Sequence, residues 1–277
     1  MKLVRNHGVT APAGFRAAAV SGSDSAVRRE GPAVGGSDAA ALDVAVLVNE
    51  GPDLVAAGIF AGREDKAAAV LWTQQVLTTG RLRAVLLHSD SADSISDGSV
   101  SDAFGVAHRC AEQLAGTLSG WGTETGAIEV AVCTTRSAGA RPAVEPLLLA
   151  VAEAVHELAG GITGGEAAAR TVAGRRGVLA QAALEHEDGW TVGGMADGPG
   201  AVCVLTTDAV VTAATLNEVL ETTIKDQLPS SANTAVLLLA SGASEMSGGP
   251  QALAAAVAGV YQDLRIQAGA EGLGESA

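Results

Sequence analysis

The sequence predicts an α/β or α+β protein built as one domain. Short runs rich in Val, Leu and Ala alternate along the chain with longer segments of helical period. No internal repeat or linker breaks the 277 residues, a length that one large core can serve. The residues are 48% hydrophobic but only 3% aromatic, so the core must be built from small aliphatic side chains, with glycine permitting close backbone approach.

In chain order, residues 17–41 are small, polar and broken by Gly and Pro, which reads as a loop. Strands are predicted at Leu42–Glu50 and Leu54–Gly62, and the turn chemistry of Gly51-Pro52-Asp53 joins them as a hairpin. A helix follows, with Asp65 as its N-cap and Gly80 as its stop. A strand at Arg83–Ser89 leads through a polar loop into a helix capped by Ser101. Next come a strand at Ala127–Thr135, a helix within Arg141–Gly161, and a helix opened by the capping-box spacing Thr163…Glu166. The remainder reads as strand-like Ala182–Ala196, a strand at Gly200–Ala209 and a helix from Ala213 to Gln227, with Thr215 and Glu218 spaced as a capping box. A strand at Thr234–Gly242 and a last helix with Pro250 at its first position complete the chain.

The net charge of −14 repels phosphate backbones and anionic headgroups, so nucleic acid and membrane surfaces are not expected partners. The N-terminus has no apolar signal region and no segment approaches 18 consecutive apolar residues. Cys110, Cys133 and Cys203 are far apart and show no ligand spacing, which reads as reduced core residues in a cytoplasmic protein. No cofactor is expected.

The glycine-rich stretch GGMADGPGAV leads into a strand, whereas a dinucleotide fingerprint opens a helix, so it reads as a hairpin turn. The histidines form no HExxH and no i, i+4 pair, and no metal site is expected. Asp90, Asp93, Asp97 and Asp102 lack the alternating ligands and closing glutamate of a calcium loop and read as a solvated acidic loop. No GxSxG elbow occurs.

Several segments, in this order, are similar to one family: GVTAPAGFRAAAV, LDVAVLVNEGP, AAGIFAGREDKAAAVLW, GRLRAVLLHS, EVAVCTT, DGWTVGGMA, VLTTDA and NTAVLLLASGAS. Together they resemble the ornithine acetyltransferase family, the bifunctional glutamate N-acetyltransferases of arginine biosynthesis. The resemblance implies a layered α/β sandwich with helices outside, residues 1–188 matching the family's N-terminal part and 189–277 the start of its second, post-cleavage chain. It also implies acetyl transfer between N-acetylornithine and glutamate by a threonine that frees itself by self-cleavage, its α-amino group serving as base.

Against that pattern the chain departs at several places. The family's Ala-Thr-Met segment is missing between GGMADGPG and AVCVLTTDA, and Asp197 stands where the family has lysine. At the family's oxyanion motif Thr135 remains, but Arg136 replaces glycine. His88, Asp90 and Ser91 replace the Asn, Gly and Gly of an asparagine-serine-glycine-glycine loop, and the family's Thr-Thr-Asp-Thr segment is not recognisable. Glu271 alone keeps a substrate-site residue in its family wording, and the Asp-Pro-Asn-Trp-Gly-Arg segment is not reached. Three readings follow: a repurposed, non-cleaving paralogue acting through binding or assembly, as a homo-oligomer or with an active relative; an acyl transferase with a rearranged site; and a sensor of ornithine- or glutamate-like molecules.

Overall fold

The computed structural model describes residues 1–4, 8–21, 43–62, 64, 66–91, 100–137, 144–173, 179–197, 201–231 and 233–269. A six-stranded sheet comprises β1 (Lys2–Val4), β4 (Val55–Phe60), β7 (Ala180–Glu185), β8 (Thr191–Ala196), β9 (Val202–Thr207) and β10 (Ala235–Ala240). Its strand order is β1-β7-β8-β9-β10-β4, antiparallel except for the β9–β10 pair. A four-stranded sheet comprises β2 (Phe15–Val20), β3 (Val44–Asn49), β5 (Ala84–Ser91) and β6 (Val130–Ser137) in that order, with β5 and β6 parallel. Among the described residues the α-helices are α1 (Ala68–Leu77), α2 (Val100–Gly120), α3 (Val144–His156), α4 (Gly161–Ala173), α5 (Ala213–Thr223) and α6 (Pro250–Gln267).

Strand alternation decides what lies on each face. Met195, Val202, Val204, Leu237 and Leu239 join residues of the four-stranded sheet and of α2, α3 and α4 in one apolar cluster. Their neighbours Val192, Cys203, Leu205, Val236 and Leu238 join α5 and α6 in a second cluster. The result is the layered α/β sandwich with outer helices that the sequence led us to expect.

Both edges of the four-stranded sheet are sealed without further strands. Beside β6, the buried Thr73 of α1 receives a hydrogen bond from Val132 N at 3.0 Å and donates to Val132 O at 2.6 Å, and Trp72 Nε1 donates to Val130 O at 3.0 Å. Beside β2, Ala17 and Ala159 exchange backbone bonds of 2.9 and 3.0 Å. Edge groups that would otherwise offer themselves to another chain are thereby satisfied.

Several local expectations are corrected. The predicted β3–β4 hairpin does not form: β3 pairs with β2 and β5, and β4 pairs with β10. Asn49 explains the divergence, because its side chain donates to Asp53 O and Ala240 O and accepts from Gly51 N, holding the 50–53 segment as a bridge between sheets. The predicted loop at 17–41 begins as β2, whose alanines are extended by pairing with β3 although alanine alone disfavours strands; residues 22–42 lie outside the described set. Helix α1 starts after Ala67, with no side-chain cap, and Asp65 is outside the described residues. Ser101 and Thr163 lie inside α2 and α4 and do not precede them. Thr212 caps α5, its side chain accepting from Thr215 N at 3.2 Å, so Thr215 sits one turn further in than predicted. Pro250 does occupy the first turn of α6, and Gly80 takes the left-handed φ of +67° just past α1.

Candidate functional site

The sequence-flagged residues fall on two strand ends. His88, Asp90 and Ser91 close β5, and Thr135 and Arg136 close β6; the parallel register sets His88 beside Thr134, Ser89 beside Thr135 and Asp90 beside Arg136. These are the carboxyl ends of parallel strands, where open α/β sheets place their binding crevices. His88, Thr134 and Thr135 are buried. Asp90, Ser91 and Arg136 are described as backbone alone, and Glu271 lies outside the described residues.

The structure positions this end through its surroundings. Every residue of β3 is buried, and β5 and β6 are buried through Leu87 and Cys133, so the pair is clamped between β3 and the α1 edge seal. Burial pushes the Cys133 thiol up to about 12 and Cys110 likewise, so both are neutral at physiological pH and serve no nucleophilic role. Thr134 and Thr135 are both 6% exposed, and neither hydroxyl oxygen is among the buried side-chain atoms left without a partner, which among the described residues are Arg83 Nε, Gln181 Oε1, Trp190 Nε1 and Tyr261 OH. Sequence reading marked Thr135 but missed Thr134, since nothing in the chain alone shows that a cross-strand neighbour of Thr134 is a histidine.

Asp197, flagged as a substrate-binding position, stands at the end of β8 in the six-stranded sheet. It is 3% exposed and closes the β8–β9 connection: its N donates to Val202 O at 3.0 Å, and its Oδ1 accepts from Val202 N at 3.1 Å. Its charge, after burial itself, raises the Cys203 thiol further. The hairpin predicted for this glycine-rich stretch is present, with Val192 opposite Thr207 and Ala196 opposite Cys203.

At the other end of β9, Asp208 is a structural knot. Its carboxylate accepts from Ala13 N at 2.9 Å and Thr191 N at 2.7 Å. Burial raises its pKa while these amides oppose the rise. Thr206 and Thr207 donate to Val9 O and Thr191 O, as expected for strand threonines in structural roles. Among the described residues, no group of three or more His, Cys, Asp or Glu could hold a metal ion, and no helix is long and apolar enough to cross a membrane.

The sequence pattern of the ArgJ family matches residues 30–276. The chain belongs to the ArgJ family. It is 47% identical to the arginine biosynthesis bifunctional protein ArgJ of Mycobacterium tuberculosis, across 98% of this chain and 68% of that one. It is also similar to the crystal structure of ornithine acetyltransferase complexed with ornithine from the same organism, with 49% identity and a TM-score of 0.59 over 71% of this chain and 94% of that one. A Burkholderia β-aminopeptidase shares the fold alone, at 13% identity and a TM-score of 0.59 over 96% of this chain and 87% of that one. ArgJ membership bears out the resemblance drawn from the sequence and makes this an ornithine acetyltransferase-family protein.

Proposed function

We propose that this protein is an unprocessed member of the ornithine acetyltransferase family, a repurposed paralogue that does not cut itself and works through binding or assembly on the family scaffold. The observation that carries the reading is the β8–β9 connection. It runs only from Asp197 to Ala201, contains no threonine, and is closed by the Asp197 carboxylate. A self-freed threonine would need a place in this connection, both as nucleophile and as the α-amino base beside it. The three free cysteines are buried, which supports a reducing, cytoplasmic setting.

Intact-mass analysis of the purified chain, paired with an assay of acetyl transfer from N-acetylornithine to glutamate, tests this. One uncut chain and no transfer are expected. Two fragments, the second beginning with threonine, or transfer at enzymatic rates would refute the reading.

A second reading is acyl transfer in arginine biosynthesis by a rearranged site, taking ornithine- or glutamate-like amines. It is favoured by 47% identity to a curated ArgJ over 98% of the chain. Transfer by an uncut chain separates it from the first.

A further inference from the structure

Of the strands that stand at sheet edges, three hand outer backbone groups to another part of the chain. β6 is bonded to α1, and β2 to Ala159. β4 is bonded to the segment 80–82, Ala56 N donating to Gly80 O and Leu82 N to Leu54 O, both at 2.9 Å. Even beyond β1 the edge of β7 is closed. There the Gln267 side chain of α6 accepts from Gln181 N at 3.2 Å and donates to Gln181 O at 3.0 Å, as a neighbouring strand would. β1 is the exception: among the described residues Lys2, Leu3 and Val4 make no backbone bond besides their ladder to β7.

Edge strands are commonly guarded by charge, proline or a bulge. β1 has no proline, and its one charge, Lys2, is drawn back to Glu185 of β7 at 3.9 Å. Leu3 stands opposite Leu184, so the two share a face of the sheet. Leu184 is buried beside α6, where a Cβ added to Gly259 would lie 3.4 Å from Leu184 Cδ1, whereas Leu3 is 45% exposed. An apolar row that begins under α6 therefore runs to the sheet edge and ends in solvent.

We propose that β1 is the docking edge for a second copy of this chain, the two β1 strands pairing antiparallel about a two-fold axis at Leu3. The strand is complementary to itself in this register. Leu3 meets the partner's Leu3, which continues the apolar row into the second copy, and Lys2 meets the partner's Val4, so no lysine faces a lysine. The outer N–H and C=O groups of both strands are satisfied at once, and the two six-stranded sheets become continuous. Other occupants match less well. Lys2 and Glu185 neutralise each other, leaving little charge at the edge to hold a basic peptide, and the net charge of −14 repels an acidic one. This inference rests on the assembly reading above and gives it a surface.

Sedimentation equilibrium of the full chain is run up to about 1 mM, where even weak pairing is populated. A mass rising towards twice that of one chain is expected. The copies carry like charge, and the screening length falls from about 10 Å at 0.1 M salt to about 3 Å at 1 M, so pairing tightens as salt is added. Leu3→Glu sets two carboxylates against each other across the axis and weakens pairing about 10-fold or more. Its far-UV spectrum stays that of the parent, because Leu3 is exposed. Ile128→Glu charges another exposed apolar side chain, just before β6 in the other sheet, and leaves pairing unaltered. Hydrogen exchange on the parent reads the same edge without a substitution: the amides of Lys2–Val4 slow as concentration rises. A chain monomeric at every concentration, pairing that Leu3→Glu does not weaken, pairing that loosens with salt, or protection that rises elsewhere and not at β1 overturns the proposal. Intact mass and acetyl transfer on the same preparation show separately whether the unprocessed reading fails.

Discussion

Replacing Thr73 by valine tests how the edge that carries Thr134 and Thr135 is held. Valine matches the shape of threonine, so it opens no cavity and isolates the hydroxyl. Thr73 Oγ1 accepts from Val132 N at 3.0 Å and donates to Val132 O at 2.6 Å, standing in for a neighbouring strand at a fully buried position. The substitution leaves both backbone groups unsatisfied at about 1–3 kcal/mol each, a loss of about 2–6 kcal/mol. That is a large fraction of the 5–15 kcal/mol roughly typical of a folded domain. Thr73→Ser keeps both bonds and removes one methyl group, costing about 1 kcal/mol. Urea unfolding followed by far-UV circular dichroism and tryptophan fluorescence reads the difference as a midpoint shift at constant slope. If Thr73→Val unfolds at the same midpoint as Thr73→Ser, the hydroxyl is not the seal and the argument for the β6 edge fails.

Three further outcomes are expected. Asp197→Ala removes the acceptor of Val202 N in a buried turn and lowers stability by about 1–3 kcal/mol, whereas Asp197→Asn keeps an oxygen there and costs less; calorimetric midpoints of the two variants rank them. Gly164→Ala places a Cβ 2.0 Å from Ala159 O and 2.7 Å from Ala17 O, backbone atoms that cannot yield, and costs about 1–3 kcal/mol or more. Gly116→Ala on α2 meets open space and stabilises by up to about 1 kcal/mol, so thermal melts of the pair must move in opposite directions. For Cys133, burial raises the folded pKa from 9.0 to about 12. Its contribution is therefore fully present below pH 9 and is lost as pH rises towards 12, a span worth about 4 kcal/mol. Unfolding free energies measured from pH 8 upward should fall less steeply in Cys133→Ala than in the parent.

Much of the architecture was legible because it rests on local pattern. The Val- and Leu-rich runs at β3, β5, β6, β9 and β10 and the helical periods between them are visible in the chain, and the alternation of strand and helix gave the class. Helix starts were less legible. Ser101, Thr163 and Thr215 all have capping chemistry, yet where α2, α4 and α5 begin is set by the surfaces they cover, and a threonine inside a first turn costs little. The β3–β4 turn looked like a hairpin because Gly-Pro-Asp turns a chain equally well between sheets as within one.

The candidate site divides in the same way. The sequence by itself determined that the β8–β9 connection has no threonine and that Asp197, His88 and Arg136 stand where they do, because these are identities and spacings, and it is the resemblance that sets them against lysine, asparagine and glycine. Only the tertiary structure decided that Asp197 ties its own turn, that Thr206 and Thr207 spend their hydroxyls on backbone carbonyls, and that Thr134 stands opposite His88 in the register of β5 and β6. The physical reason is that a hydroxyl's availability depends on what lies across the strand. Register between β5 and β6, 46 residues apart as His88 and Thr134 are numbered, is set by packing of both faces and the edge seal, none of which is written in either strand alone.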